Sequence, residues 1–268
     1  MDRTRPTPGQ MLAAMRAANP LVQCITNYVA MNIAANVMLA AGASPAMVSA
    51  EEEAGEFAGI AGALTINIGT LSRDWIGGMK KAATAAGKAG KPWVLDPVAH
   101  YATGFRRSVT AELVALKPTI IRGNASEIMA LAGGPASGQG VDSGDSVDIA
   151  EGSARALAKQ HDCTVAVTGA VDFVTDGRDA VRIAGGSALM PKVTALGCSL
   201  TCLIGAFAAV TPAYPFGAAV AALATFAVAG EEAARKASGP GSFSPLFLDQ
   251  LSALTDETLD AKAGITIA

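Results

Sequence analysis

Residues Val193–Cys202, VTALGCSLTC, decide how the rest of the chain is read. A β-branched residue leads through Ala195, Leu196 and Gly197 into small and apolar residues that can continue as a helix. Gly197 permits backbone conformations closed to most side chains, and the first turn of the following helix leaves several N–H groups without partners. Such a turn is a seat for an anion when other phosphate-directed groups surround it; by itself it is an ordinary helix start.

The surrounding pattern predicts α/β architecture. Upstream, LVQCIT reads as a strand closed by Asn27, and YVAMNIAANVMLAAG as a helix with Met31, Ala35, Met38 and Leu39 on its apolar side, stopped at Gly42. Asn32 and Asn36, one turn apart, are expected to bond to a neighbouring element. ASPAMV, ALTINIG, WVLDPV, TIIR and TVAVTG read as strands that alternate with helices, which predicts a mostly parallel sheet with helices on both faces. Ser72 caps a helix from Arg73, a further helix covers Thr110–Leu116, and another covers Ile149–Gln160. Asp176-Gly177 joins two alternating runs as a hairpin, a small antiparallel annex to that sheet. GPGSF reads as a tight turn before a last amphipathic helix, LFLDQLSAL.

With 268 residues the chain is long enough for one well-filled core, and residues 1–268 read as a single domain. A net charge of −3 with 16% charged residues provides no basic face for nucleic acid or an anionic membrane. Small-molecule partners and a cytoplasmic location are expected. No charged residue occurs between Val193 and Gly230, but Pro212 and Pro215 divide that run into pieces read as short for a membrane span, so buried helices are expected. The Ala and Gly on them allow close approach to the sheet or to another subunit. Residues Gly133–Ser146 are rich in Gly, Ser and Asp and read as a mobile loop or insertion.

The four cysteines are too few and scattered for a disulfide framework, and no Cys or His completes a tetrahedral set around Cys198 and Cys202. With only His100 and His161 present, a His-based triad or a multi-His metal site is hard to build. Asp96 falls at the carboxyl end of a strand, where open parallel sheets bind ligands. RGNASE ends a strand in Arg122 and turns through Gly123 and Asn124 into a helix with Glu127 in its first turn, the spacing of a capping box. Thr168 ends a further strand. Two carboxylates, an amide and a guanidinium around one crevice suit a magnesium-nucleotide site.

These blocks, from PLVQCITNYVAMNIAANVMLAAGASPAM through LDPV, RGNASEI, AVTGAVDFVTDG and LGCSLT to GPGSF, resemble the hydroxyethylthiazole kinases of the ribokinase-like superfamily over nearly the whole chain. The resemblance implies a three-layer ribokinase-like fold and ATP-dependent phosphorylation of the hydroxyethyl group of 4-methyl-5-(2-hydroxyethyl)thiazole, giving ADP, in thiamine synthesis or salvage. It implies a homotrimer with sites between subunits. It places Met47, Asn27, Ala195 and Gly197 at the thiazole, Arg122, Thr168 and Asn124 at ATP, and Asp96 and Glu127 at Mg2+. Cys198 falls where related sugar kinases carry an aspartate base, and a helix N-terminus is expected to supply some thiolate there. Ala195 and Leu196 depart from the Gly-Thr-Gly-Cys turn common in that family. A related kinase of hydroxymethylpyrimidine or pyridoxal, a nucleotide-dependent hydratase or lyase, and a nucleotide sensor are the competing readings.

Overall fold

The computed structural model describes residues 5–134 and 146–268; most of the Gly133–Ser146 stretch lies outside them. Among the described residues nine strands form one sheet: β1 (Leu21–Ile25), β2 (Ser44–Ala46), β3 (Ala63–Asn67), β4 (Trp93–Asp96), β5 (Ile120–Asn124), β6 (Thr164–Thr168), β7 (Val171–Thr175), β8 (Ala180–Ala184) and β9 (Gly264–Ile267). Their order is β2-β1-β3-β4-β5-β6-β7-β8-β9. The first six pair in parallel, and β6 to β9 pair antiparallel. The expected annex is therefore present, with a third strand, β9, from the C-terminal GITI that sequence reading passed over.

The helices are α1 (Pro8–Ala18), α2 (Met31–Ala41), α3 (Ala54–Ile60), α4 (Arg73–Lys88), α5 (Gly104–Val114), α6 (Ala125–Leu131), α7 (Val147–His161), α8 (Leu196–Val210), α9 (Pro215–Ala234), α10 (Pro240–Ala253) and α11 (Asp256–Lys262). Strand side chains alternate between two cores, as a period of two requires. Val22, Val94, Ile120 and Ala166 face the layer containing α1, α2, α8, α9 and α10. Ile25, Leu95, Ile121 and Val167 face the layer containing α3 to α7. Three layers result, and every crossover delivers the next parallel strand with its carboxyl end at the same edge.

Several expectations shift. In α2 the buried residues are Ala34, Val37, Met38 and Ala41, whereas Leu39 is 61% exposed. Asn36 donates to the Asn32 carbonyl and side-chain oxygen on the exposed face instead of reaching another element. α5 begins at Gly104, where Thr103 caps it, and GPGSF is the first turn of α10 with Pro240 at its start. α9 spans 20 residues after Pro215, so it is not short for a membrane. Its most apolar window is 89% buried, which makes it a core helix. Cys202 lies in that core with Thr65 Oγ1 3.6 Å from its sulfur.

Arg16 on α1 closes two helix ends. Its guanidinium donates to the carbonyls of Leu251 and Leu254 at the end of α10, and to Ala41 O at the end of α2. Terminal carbonyls lack intrahelical partners and carry the negative end of the helix dipole, so one cation serves both. Arg16→Ala is expected to cost about 2–3 kcal/mol in urea unfolding, as charged hydrogen bonds of this kind contribute. A change below about 0.5 kcal/mol, the level of an ordinary surface substitution, would show that water replaces it.

Candidate active site

A chain of side chains crosses the carboxyl ends of five adjacent strands. Asn27 follows β1; Asn67, Asp96 and Thr168 are the last residues of β3, β4 and β6; Arg122 is the third residue of β5. Asn27 Nδ2 donates to Asn67 Oδ1 at 2.9 Å, and Asn67 Nδ2 donates to Asp96 Oδ2 at 2.7 Å. Arg122 Nη1 lies 3.4 Å from the same carboxylate oxygen, and Nη2 donates to Thr168 Oγ1 at 2.6 Å. Helix α8 adds Thr201, whose hydroxyl donates to Asp96 Oδ2 at 2.8 Å, and Cys198, whose sulfur accepts from Asn27 Nδ2 at 3.3 Å.

The start of α8 is built differently from its sequence reading. The left-handed residue is Ala195, with φ 61°, while Gly197 lies inside the helix. Gly197 is required for another reason: a Cβ there would sit 2.8 Å from Arg122 Nη2 and 2.9 Å from Nη1. The guanidinium therefore lies flat against the first turn. Among the described residues no side chain caps this helix, and the first intrahelical bond of the turn is made by Ser199 N–H to Ala195 O. The amides of Gly197 and Cys198 precede it, which leaves donors aimed beyond the helix end.

Asn124 and Glu127 form the expected reciprocal capping box. Asn124 Oδ1 accepts from Glu127 N–H at 2.9 Å, and Glu127 Oε2 accepts from Asn124 N–H at 2.8 Å. Glu127 Oε1 accepts from Ala99 N–H at 2.9 Å, tying α6 to the turn after β4. His100 Nε2 lies 3.0 Å from the Glu127 carbonyl. Arg106 on α5 donates to the carbonyls of Ile68, Gly69 and Val98, so the turns after β3 and β4 are fixed from behind.

Desolvation dominates the electrostatics. Burial raises the Asp96 carboxyl, against the pull of Arg122, Thr201 and Asn67. Glu127 is pushed to about 7 by burial and by the charge of Asp96, despite its two N–H partners. Arg122 is itself raised: burial acts to lower it, and Asp96 and Glu127 more than offset that. Cys198 is the main correction. Burial and the nearby Asp96 push its thiol to about 12, outweighing Arg122 and the Asn27 amide, so the expected thiolate near neutrality does not form.

The structure thus brings together Asn27, Asp96, Arg122, Thr168, Gly197 and Cys198, with Glu127 and Asn124 beside them. Met47 follows β2, at the sheet edge beside β1, and is partly buried against the α2 and α8 core. Sequence reading missed Asn67, Thr201 and Asp172. Asn67 was findable by the rule applied to Asp96, since both end buried parallel strands and pair in register. Asp172 Oδ1 accepts Gly169 N–H at 2.9 Å behind Thr168, a contact no local pattern announces.

The hydroxyethylthiazole kinase family model matches residues 12–257. A hydroxyethylthiazole kinase of Rhizobium johnstonii is 75% identical over 266 residues, covering 99% of this chain and 100% of that protein. The solved structure of a hydroxyethylthiazole kinase protein from Pyrococcus horikoshii superposes with a TM-score of 0.89 at 39% identity, covering 97% of this chain and 98% of that one. A ribokinase-like superfamily protein from Enterococcus faecalis gives a TM-score of 0.65 at 12% identity over 90% of this chain and 89% of that one, a likeness of fold.

Asp172 offers a direct check on these electrostatics. Burial pushes its carboxyl to about 6, while Gly169 N–H and Arg122 pull the other way. With an unfolded value near 3.9, the fold binds the proton more tightly, so the contribution is full below about pH 4 and is lost as pH rises to about 6. The Tm of Asp172→Asn, which retains the acceptor oxygen, should therefore gain on that of the parent between pH 4 and pH 6.5. Parallel Tm profiles for the two proteins would remove the shift.

Proposed function

The chain belongs to the hydroxyethylthiazole kinase family, and from that premise we propose that its strand-end site transfers the γ-phosphoryl group of ATP to the side-chain hydroxyl of 4-methyl-5-(2-hydroxyethyl)thiazole. The protein is a kinase of the thiamine pathway with ATP as co-substrate. The observation that carries the site assignment is the unbroken run of hydrogen bonds and one ion pair from Cys198 through Asn27, Asn67 and Asp96 to Arg122 and Thr168. It joins the proposed alcohol end to the proposed phosphate end.

In this reading Arg122, oriented by Asp96 and Thr168, and Asn124 bind the nucleotide, while Met47, Asn27, Ala195 and Gly197 form the thiazole end. Charge spreads over the phosphoryl oxygens as transfer proceeds, and the α8 amides together with Arg122 oppose it. Asp96 Oδ1 is buried and has no hydrogen-bond partner among the described residues, a hard oxygen donor suited to magnesium. Both oxygens of Glu127 already hold backbone amides, so its acidity acts beside the ion or through water. Magnesium, when bound, neutralises phosphate charge. Among the described residues no three-residue His, Cys, Asp or Glu cage is present, and phosphate and water would complete its shell.

Cys198 is assigned to the attacking hydroxyl as a hydrogen-bonding group. A thiol held near 12 is a poor resting base, but a loose phosphoryl transfer needs little proton removal before bond cleavage. A homotrimer with sites between subunits belongs to the same reading. Tyr28 and Val29, immediately after Asn27, are 64% and 60% exposed, so an apolar surface continues outward from the thiazole end. We also place the protein in the cytoplasm.

ADP release with ATP, magnesium and the thiazole alcohol tests the assignment. Turnover only with pyrimidine or sugar alcohols would sink it. Cys198→Ala is expected to lower kcat by roughly 10- to 100-fold with the KM for ATP within about threefold, because the backbone amides remain. An unchanged kcat would remove the thiol from the chemistry.

A further inference from the structure

Asn67 lies at the junction of the chain of contacts and is 2% exposed. Its Oδ1 accepts two bonds, from Asn27 Nδ2 at 2.9 Å and from Gly69 N–H at 2.8 Å, while its Nδ2 donates to Asp96 Oδ2. Flipping this amide would set its NH2 against two donors, so its orientation is forced. Asn27 is forced in the same way. Its Oδ1 accepts from the N–H groups of Val29 and Ala30, both at 3.1 Å, and its two amide hydrogens go to Asn67 and Cys198. Three backbone N–H groups thus fix both amides, and every hydrogen bond between Cys198 and Asp96 has one possible direction.

Gly69 seals the junction. A Cβ at Gly69 would lie 2.7 Å from Asn27 Nδ2 and 2.9 Å from Asn67 Oδ1. The backbone there cannot easily retreat, because Arg106 Nη2 holds the Gly69 carbonyl at 2.7 Å and Nη1 holds those of Ile68 and Val98 at 2.9 Å each. Gly69 is not in the left-handed region, so alanine would meet no backbone penalty; its methyl group would press directly on the two amides.

We propose that Asn67, with Gly69 seated against it, is a positioning residue that sets the Asn27 amide on the Cys198 sulfur and the Asp96 carboxylate toward the phosphate end, so that the two halves of the site share one geometry. The kinetic consequences rest on the kinase reading above; the contacts do not. Asn67 touches neither substrate in this arrangement and acts through Asn27 and Asp96.

The test uses the full-length enzyme with Gly69→Ala and Asn67→Ser, read by kcat, both KM values, Tm, and the rate at which iodoacetamide alkylates Cys198, followed by mass spectrometry. In both variants kcat should fall by roughly 10- to 100-fold, as misplacement of reacting groups on the ångström scale does, with the KM for ATP within about threefold. In an Asn27→Ala background, Asn67→Ser should cost less than it does in the parent, because only its hold on Asp96 is then left to lose. Alkylation should slow several-fold, since the sulfur loses the N–H that favours its thiolate. Parental kcat in Gly69→Ala, or a Tm loss with undiminished kcat per folded molecule, overturns the proposal. Should Asn67→Ser fail to fold, Gly69→Ala decides alone. An inactive parent would sink the kinase reading, and the alkylation rates would still decide the positioning role: slower rates support it, parental or faster rates overturn it.

Discussion

The carboxylate of Asp96 is the point on which the site depends. It is fully buried at the end of a central strand, and one oxygen, Oδ2, faces groups from three different elements: Asn67 from β3, Arg122 from β5 and Thr201 from α8. An isolated buried carboxylate is costly, so the position persists only because neighbouring strands and the covering helix all deliver partners to it. Sheet register makes that possible, since Asn67 and Asp96 are paired residues of adjacent strands. Each partner then hands the geometry on, Asn67 to Asn27 and Cys198, Arg122 to Thr168. Displacing Asp96 would leave both ends of the chain without an anchor.

The charges around it are unequal. Asp96, Glu127 and Asp172 surround a single guanidinium, Arg122, and burial raises all three carboxyls as it raises the Cys198 thiol. Further negative charge arriving beside these groups requires positive charge from outside the chain's own residues. This imbalance supports the proposed pairing of a polyphosphate with a divalent cation at the site. It also explains why the thiol is better suited to shaping the approach of an alcohol than to removing its proton in advance.

Much of this was legible in local patterns. Asp96 and Thr168 announce themselves as polar ends of apolar strands, Arg122 as the unexplained charge within another, and the Asn124–Glu127 spacing gave the capping box that the structure contains. The Asp176-Gly177 turn gave the antiparallel annex. Other features depend on contacts between distant segments. For Cys198 the sequence shows a helix N-terminus, which argues for an acidic thiol, but not the burial and the proximity of Asp96 that raise it. At Gly197 the sequence points to a turn, whereas in the structure it is the close approach of Arg122, 75 positions upstream, that leaves no room for a side chain. Thr201 and Asp172 became visible only once α8 and β7 were placed against the strand ends.

The alanine at the start of α8 ties strain to use. Ala195 holds a left-handed conformation that costs an L-residue roughly 1–2 kcal/mol, and alanine is among the weakest helix N-caps. In the proposed reading an incoming phosphate uses the free amides of this turn, which a capping side-chain oxygen would otherwise occupy. Both penalties fall on a helix that the core holds firmly: from Ser199 to Ala208, every residue of α8 is buried. The buried body of the helix stabilises an open, uncapped first turn, and the open turn faces Arg122 and Cys198. Strain and missing caps concentrate at functional sites when the surrounding structure fixes them, and at α8 the element that fixes them and the element that would bind the phosphoryl group are the same helix.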